Sequence, residues 1–414
     1  MVKTAPAPPA LRTTLNAAEW RILAICFATA MVDGFDTLIL SFIAPLVGKQ
    51  FGLSPVEIGK LFSAGFIGAV MGGLSVGPLA DWFGRRTMLL LSLVLAVVFT
   101  FLCSKAESPQ ALMVLRFLGG LGLGGAIPTI IALTAEGMPA NLRTPAVTWM
   151  FLGIPLGAVL GGAIVAATLS YGWQMIFVGG ALAAAALVPL VWLGLPESHI
   201  ARRAVGAGDV SRGSMFASVH AQFADGRLRA AISLWLGAFS VILSSFFLLN
   251  WMPTVLVSSG FSPERAAIAG VLLNLGGVSG ALIISLAVRR YGPYRPVAVA
   301  LCVGSLFVGL LGHQVGEQQS LLLLAFMSGI CVFGAQLAMP AIAADLYPSA
   351  VRGAGVGWTM GIGRIASILA PLIGGALIAA NISWSNLFLI VAGPTVVAAL
   401  AISLADRVRP KFAE

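Results

Sequence analysis

The feature that most constrains this chain is a series of apolar runs, each long enough to cross a lipid bilayer as a helix. A spanning helix needs roughly 20 mainly apolar residues, so the 414 residues accommodate about twelve spans with short loops. Only 9% of the residues are charged, against about a quarter in soluble proteins. Since backbone groups in lipid must bond within the chain, each run predicts a helix. We therefore expect an all-α membrane protein with twelve transmembrane helices.

The basic residues predict how the chain is oriented. Most of the 24 Lys and Arg residues lie at the termini or in even-numbered loops, whereas the odd-numbered loops hold only Lys49, Lys60, Lys105 and Arg265. The positive-inside rule then places both termini and the central loop in the cytoplasm of a bacterial-type inner membrane. The net charge of +9 is thus a topology signal, and no nucleic-acid partner is expected.

Other compositional signals exclude several classes of function. We expect no metal, cofactor or redox role from the cysteines, which lie in apolar runs without metal-ligand spacing: Cys26, Cys103, Cys302 and Cys331. The sequence shows neither a nucleophile–base pair nor a metal-ligand set, so an enzyme is not expected. The polar N-terminal segment does not resemble a cleaved signal peptide. We expect a monomer in the lipid bilayer.

Short charged motifs repeat at half the chain length. The matching pairs, each 209 residues apart, are Glu136 and Asp345, Pro139 and Pro348, Arg143 and Arg352, and Trp149 and Trp358. This repeat predicts two six-helix halves, 1–194 and 229–414, joined by a cytoplasmic linker at 195–228. Transporters built from such repeats bind substrate near the midplane between the halves.

The segment GPLADWFGRR, residues 77–86, resembles the major facilitator signature G-x-x-x-D-x-x-G-R-R. The resemblance implies a major facilitator fold with a cytoplasmic latch between conformations, and the alternative is a simple topology anchor. The expected latch residues are those of the signature and of the repeated charged motifs: Gly77, Asp81, Gly84, Arg85, Arg86, Glu136, Arg143, Asp345 and Arg352.

Four further motifs together resemble the aromatic acid:proton symporter family. They are DGFDT in the first span, Arg116 with the following glycine run in the fourth, NWMPT in the seventh and GIGRIASILAP in the eleventh. This resemblance implies secondary active transport, with proton-driven uptake of benzoate-like or hydroxybenzoate-like acids. A proton-coupled symporter of another organic anion, such as a sugar acid, stays an alternative. A proton-coupled drug exporter is another, since GIPLGAVLGG at 153–162 resembles an exporter motif with a displaced proline.

Charged residues inside the spans are candidates for function, because each is costly in lipid. Asp33 and Asp36 lie three residues apart and share one helix face. Two such close carboxylates disfavour double ionisation, so we expect this pair to carry the proton. A structural role, with both residues bonded to neighbouring helices, is the alternative.

Two arginines within the spans are candidates for substrate binding. The side chain of Arg116 is long enough to reach Asp36, which would leave Arg364, near the midplane, as the better receptor for a carboxylate. Both arginines acting as structural counter-ions is the alternative. Asn250 is a candidate to hydrogen-bond a hydroxyl group on the substrate ring. The remaining substrate-binding candidates are aromatic side chains that offer flat apolar contacts to the ring: Phe35, Phe246, Trp251 and Trp358.

Overall fold

The computed structural model describes residues 14–197, 223, 226–314, 318–348 and 351–409. The side chains of residues 78, 81 and 318 also lie outside the description, so the latch candidate Asp81 is placed only by its backbone. Most of the expected linker at 195–228 likewise lies outside the described residues.

Within the described residues, 12 helices are long and apolar enough to span a membrane. This number confirms the predicted fold class. In chain order they are α1 Ala17–Phe51, α2 Pro55–Phe83, α3 Arg85–Cys103, α4 Pro109–Gly137, α5 in two segments, Arg143–Phe151 and Gly153–Thr168, α6 Trp173–Gly194, α7 Leu228–Ser258, α8 Pro263–Tyr291, α9 Tyr294–Leu311, α10 as Gln318–Ser328, a π-helical turn Gly329–Phe333 and Gly334–Leu346, α11 Arg352–Ala379 and α12 Trp384–Val408.

Several helices begin at a serine–proline pair. The hydroxyl oxygens of Ser54, Ser108 and Ser262 accept hydrogen bonds from backbone N–H groups in the first turns of α2, α4 and α8. Each serine is followed by a proline, which lacks the N–H that would have no partner at this position. These caps satisfy donors that a helix end leaves unpaired, so the chain can turn sharply where it leaves the membrane.

Glycines allow α2 and α4 to approach to backbone contact. A Cβ added at Gly68 would overlap the carbonyl of Phe117, and one added at Gly124 would overlap the carbonyl of Ala69. The same arrangement recurs between α8 and α10, where a Cβ at Gly280 would overlap the carbonyl of Ile330. Close approach of small residues drives helix association in lipid, because apolar burial alone favours no partner there.

The first six and last six helices contact each other mainly in the half of the bundle away from the chain termini, here called the distal end. There α2 packs on α11, α5 on α8 and α1 on α7. On α11 the contact face carries Ile368, whose carbonyl accepts a hydrogen bond from Ser63 Oγ at 2.7 Å, and Pro371, whose carbonyl an added Cβ at Gly59 would meet at 2.6 Å.

Toward the end that holds the termini, here called the terminal end, the same helix faces separate. The contact face of α11 continues at helical spacing through Arg364, Gly361 and Gly357. At both glycines an added Cβ would meet nothing within 4 Å, and the Arg364 side chain is exposed. The two groups of helices are therefore in contact at the distal end, whereas the contact face of α11 is uncovered at the terminal end. We interpret the space beside this face as a cavity that is open toward the terminal end.

A first prediction concerns the glycine contacts. Gly124→Ala should lower the melting temperature of the detergent-solubilised protein, with a loss of about 1–3 kcal/mol, because the added methyl forces α2 and α4 apart. Gly179→Ala is the matched control, since an added Cβ at this helical glycine meets nothing within 4 Å. Equal melting temperatures for the two variants would contradict the packing argument.

Candidate functional site

A buried ion pair joins α1 to α4 within the first six helices. Arg116 Nη1 lies 3.0 Å from Asp36 Oδ2 and 3.1 Å from Asp36 Oδ1. Arg116 Nη2 donates to the backbone carbonyl of Asp36 at 3.1 Å, and Thr100 Oγ1 on α3 donates to Asp36 Oδ1 at 3.0 Å. Both charged residues are only 5% exposed. Asp36 is thus held by two neighbouring helices, and Arg116 is occupied by its carboxylate.

Asp33 lies one turn from Asp36 but in a different environment. It is half-buried, and the charges that act on its carboxylate are those of Arg364 and Asp36. Among the described residues, no cation lies within ion-pair distance of Asp33, and no side chain donates a hydrogen bond to it. The two aspartates, which the sequence predicts to act as a pair, therefore differ: Asp36 is fixed and Asp33 is available.

A small cavity lies beside the two aspartates, between α1, α2 and α4. It measures about 30 Å³ and is lined by residues of α1, α2 and α4, among them Thr37, Phe66 and Gly120. A water molecule needs roughly 10–15 Å³ of such space, so this cavity has room for water but not for an aromatic ring. A larger ligand has to lie outside it, in the open space toward Arg364.

Arg364 lies on the uncovered face of α11, toward the terminal end. Its backbone carbonyl accepts a hydrogen bond from Ser367 Oγ at 2.7 Å, while its side chain is exposed. No carboxylate among the described residues lies within ion-pair distance of the guanidinium. Its planar fork of donors is therefore free to take a carboxylate in bidentate geometry.

Aromatic side chains from both groups of helices meet between α2 and α7. The rings of Phe66 on α2 and Phe246 on α7 pack edge to face, with centroids 5.2 Å apart. Phe246 is a sequence-predicted substrate contact. Phe66 also borders the small cavity beside Asp33 and was missed, because one phenylalanine in an apolar run carries no signal of its own.

Four other predicted substrate contacts lie away from the open cavity. The Phe35 ring packs between glycines of α5 and α6, and Trp358 stacks on Trp235 with centroids 6.2 Å apart. Asn250 and Trp251 are each 0% exposed. Asn250 accepts a hydrogen bond from Ser41, and the Trp251 indole donates to the carbonyl of Pro371 at 3.1 Å. In this conformation these four residues hold helices together.

The predicted latch residues of the first six helices form a connected network at the terminal end. Arg85 Nε lies 2.8 Å from Glu136 Oε1. Glu197, just after α6, accepts hydrogen bonds from the backbone N–H of Arg86 at 3.3 Å and from Thr87 Oγ1 at 3.2 Å. Gly84 has a φ of 97°, and an added Cβ there would overlap the Glu197 carboxylate. Gly77 lies in α2 beside Pro128 of α4.

Glu197 was missed by the sequence analysis. Its only signal is an acid placed directly after the predicted end of a span, on the side that is otherwise basic.

The corresponding region of the last six helices uses a different cation. Asp345, which matches Glu136 in the repeat, pairs with Arg409 at the end of α12. Arg409 also pairs with Asp406 at 3.2 Å and lies over the Tyr294 ring, 4.5 Å from its centroid. The sequence analysis missed Arg409, since it lies outside the repeated motifs.

The two repeated arginines keep equivalent local contacts. Arg143 Nε donates to the carbonyl of Met138, and Arg352 Nε donates to the carbonyl of Tyr347, each at 3.3 Å and across five residues. These bonds tie the short turns before α5 and α11 to the preceding helices. This shared geometry supports the proposal that the chain consists of two related halves.

Comparisons with known proteins identify the class to which this fold and site belong. The profile described as Major Facilitator Superfamily matches residues 25–316 and 234–414, so the chain belongs to this superfamily of transporters. A gallate transporter from Pseudomonas putida is 35% identical over 94% of this chain and 92% of its own length. A 4-hydroxybenzoate transporter from Pseudomonas aeruginosa is 32% identical over 94% and 93%. A 3-(3-hydroxy-phenyl)propionate transporter from Escherichia coli is 32% identical over 94% and 95%.

Solved structures share the fold. A bacterial homologue of the human lysosomal transporter Spinster, in an inward-facing and occupied conformation, aligns with a TM-score of 0.79 at 16% identity, covering 97% of this chain and 100% of that one. A D-xylose–proton symporter aligns with a TM-score of 0.72 at 18% identity, covering 92% and 97%. The predicted superfamily is confirmed, and the relatives are transporters rather than enzymes, as expected.

A second prediction concerns the buried ion pair. Asp36→Ala should destabilise the protein by about 3–5 kcal/mol, because it leaves the Arg116 charge buried without its partner. The double variant Asp36→Asn/Arg116→Gln should recover part of this loss, since it removes both charges together. Thermal unfolding in detergent measures both effects. A double variant less stable than Asp36→Ala would contradict the assignment.

Proposed function

We propose that this protein imports small aromatic carboxylates together with protons. The observation that carries the proposal is the presence of two opposite charges in spanning helices, Asp33 and Arg364, neither of which forms an ion pair with another described residue, beside a cavity open toward the terminal end. The Phe66–Phe246 pair borders the same region and supplies apolar ring contacts. The names of the curated relatives, which transport gallate and hydroxybenzoate, support an aromatic acid as the substrate.

Charge placement supports an orientation for this transport. The terminal end carries the basic residues of the latch network and of the α8–α9 turn, including Arg85, Arg289 and Arg290. By the positive-inside rule this end lies in the cytoplasm of the inner membrane, so the structure corresponds to an inward-facing state. Alternating access by a monomer would then open the distal end to the outside and close the terminal end.

The geometry suggests how proton and substrate are coupled. In the absence of substrate, the guanidinium of Arg364 acts electrostatically on the Asp33 carboxylate. A substrate carboxylate that binds Arg364 competes with Asp33 for this guanidinium. The charge of Arg364 then stabilises the ionised Asp33 carboxylate less. An unpaired carboxylate in a spanning helix is costly, and taking up a proton removes the cost. Asp33 would thus bind its proton when substrate binds and release it when substrate leaves.

The uptake test compares wild-type and Asp33→Asn protein in proteoliposomes with labelled 4-hydroxybenzoate. An inward proton gradient should drive accumulation by the wild type, and a protonophore should abolish it. Asp33→Asn should lose accumulation but retain exchange of substrate for substrate, since exchange does not require proton release.

Glu107→Gln removes an exposed acid at the distal end and serves as the matched control, which should behave as wild type. Equal accumulation by the wild type with and without the gradient would exclude proton coupling. No transport of any aromatic acid in a panel of hydroxylated and unsubstituted benzoates would exclude the proposed substrate class.

A separate prediction concerns the anion receptor. Arg364→Lys keeps the charge but loses the bidentate fork, so substrate affinity should fall in both accumulation and exchange. Arg364→Ala should weaken binding about 10- to 100-fold, which corresponds to the loss of a charge-assisted hydrogen bond. Direct binding to the purified protein measures both. Arg289→Lys, also exposed at the terminal end, is the control. Unchanged affinity in folded Arg364→Ala would place the anion elsewhere.

A further inference from the structure

The contact between the two groups of helices contains a buried polar link. Ser41 Oγ on α1 donates to Asn250 Oδ1 on α7 at 3.1 Å, and both residues are 0% exposed. The Asn250 amide also donates to the carbonyl of Phe246 at 2.6 Å. The two residues are 209 positions apart, the same spacing as the charged motifs of the repeat. The link therefore joins matching positions of the two related halves.

The residue after Ser41 is an aromatic ring clamped between glycines. Phe42 is 3% exposed. An added Cβ at Gly162 on α5 would meet Phe42 Cζ at 2.9 Å, and one at Gly270 on α8 would meet Phe42 Cε1 at 2.5 Å. The ring of α1 thus fills the seam between α5 and α8, and any side chain at Gly270 would displace it.

The residue after Asn250 fills the opposite seam, where it meets the other half at Phe62. An added Cβ at Gly374 on α11 would overlap the Trp251 indole, which donates to the carbonyl of Pro371 at 3.1 Å. The same indole packs edge to face on Phe62 of α2, with centroids 5.7 Å apart. Trp251 therefore closes the seam between α2 and α11.

We propose that Ser41, Phe42, Asn250 and Trp251 form the distal gate of this transporter. The hydrogen bond closes the centre, and the two rings close the seams on either side. Each ring touches both halves, so opening the first seam separates Phe42 from Gly270, and opening the second separates Trp251 from Phe62. This assignment rests on the proposed alternating access, and it adds the residues that hold the distal end shut.

The chemistry of the gate suits a reversible closure. A neutral hydrogen bond contributes only modestly, because water replaces the lost partner once the seam opens. An ion pair at the same place would be harder to separate. The glycines leave room for the Phe42 and Trp251 rings in the seams, and no charged group among the described residues holds either ring there. We therefore expect small changes at the gate to shift the balance between distal-closed and distal-open states.

The test measures a distance across the distal end in the full-length protein without substrate. Spin labels at Lys105→Cys and Glu264→Cys, two exposed distal positions on different halves, are introduced in a Cys302→Ser background. Double electron–electron resonance in nanodiscs then reports the share of molecules with a long distal distance. Ser41→Ala and Gly270→Ala should each raise the ratio of open to closed molecules by about two- to tenfold.

Two further variants separate gating from general damage. Gly179→Ala adds a methyl to a helical glycine with open space around it and should leave the distance distribution unchanged. Phe42→Leu combined with Gly270→Ala should restore the closed distribution, since a smaller side chain fits the filled contact. Gly374→Ala should open the distal end by displacing Trp251, which tests the second seam independently.

The outcome does not depend on transport. A distal opening in these variants supports the gate even if no aromatic acid is transported. Unchanged distal distances in Ser41→Ala, Gly270→Ala and Gly374→Ala would overturn the gate even if transport is established. Failure of Phe42→Leu to reverse the effect of Gly270→Ala would overturn the clamping of that ring.

Discussion

The buried ion pair between Asp36 and Arg116 is the interaction on which the first six helices depend. It joins α1 to α4, and the Thr100 hydroxyl brings in α3. Charges are costly in lipid, so a pair that satisfies itself fixes the helices that carry it. Because Arg116 is paired with Asp36, the neighbouring Asp33 forms no ion pair with any described residue. Arg364 on α11 is a nearby cation that can act on it electrostatically. The proposed coupling follows from this unequal division of charges.

Glycine contacts give the bundle both tight packing and separable surfaces. Within each group of helices, backbones touch along α2 and α4 or α8 and α10, where side chains would prevent approach. Between the groups, the contacts include the Phe42 and Trp251 rings and neutral hydrogen bonds from Ser41 and Ser63. Contacts of the first kind preserve each group as a unit. Contacts of the second kind break without leaving buried charges, which suits a seam that opens and closes.

The terminal-end networks are related by the repeat but are not identical. Glu136 forms an ion pair with Arg85 of the signature motif, whereas Asp345 forms one with Arg409 at the end of α12. The second half lacks the arginine pair at the start of α9, and Tyr294 there packs under Arg409 instead. Different residues therefore hold the corresponding helix ends in the first six and last six helices.

The sequence by itself determined the number of helices, the superfamily and which charges lie in the membrane. Apolar length, charge placement and short motifs are local features, so they can be read without the fold. The length of the Arg116 side chain already suggested Asp36 as its partner, but only the tertiary structure showed that Asp36 is also held by Thr100 while Asp33 has no ion-pair partner among the described residues. It also placed Asn250 and Trp251 in the contact between the first six and last six helices, while Phe66 borders the small cavity beside Asp33. Those roles depend on contacts between helices far apart in the chain, and the sequence of one apolar run does not show which other helices it packs against.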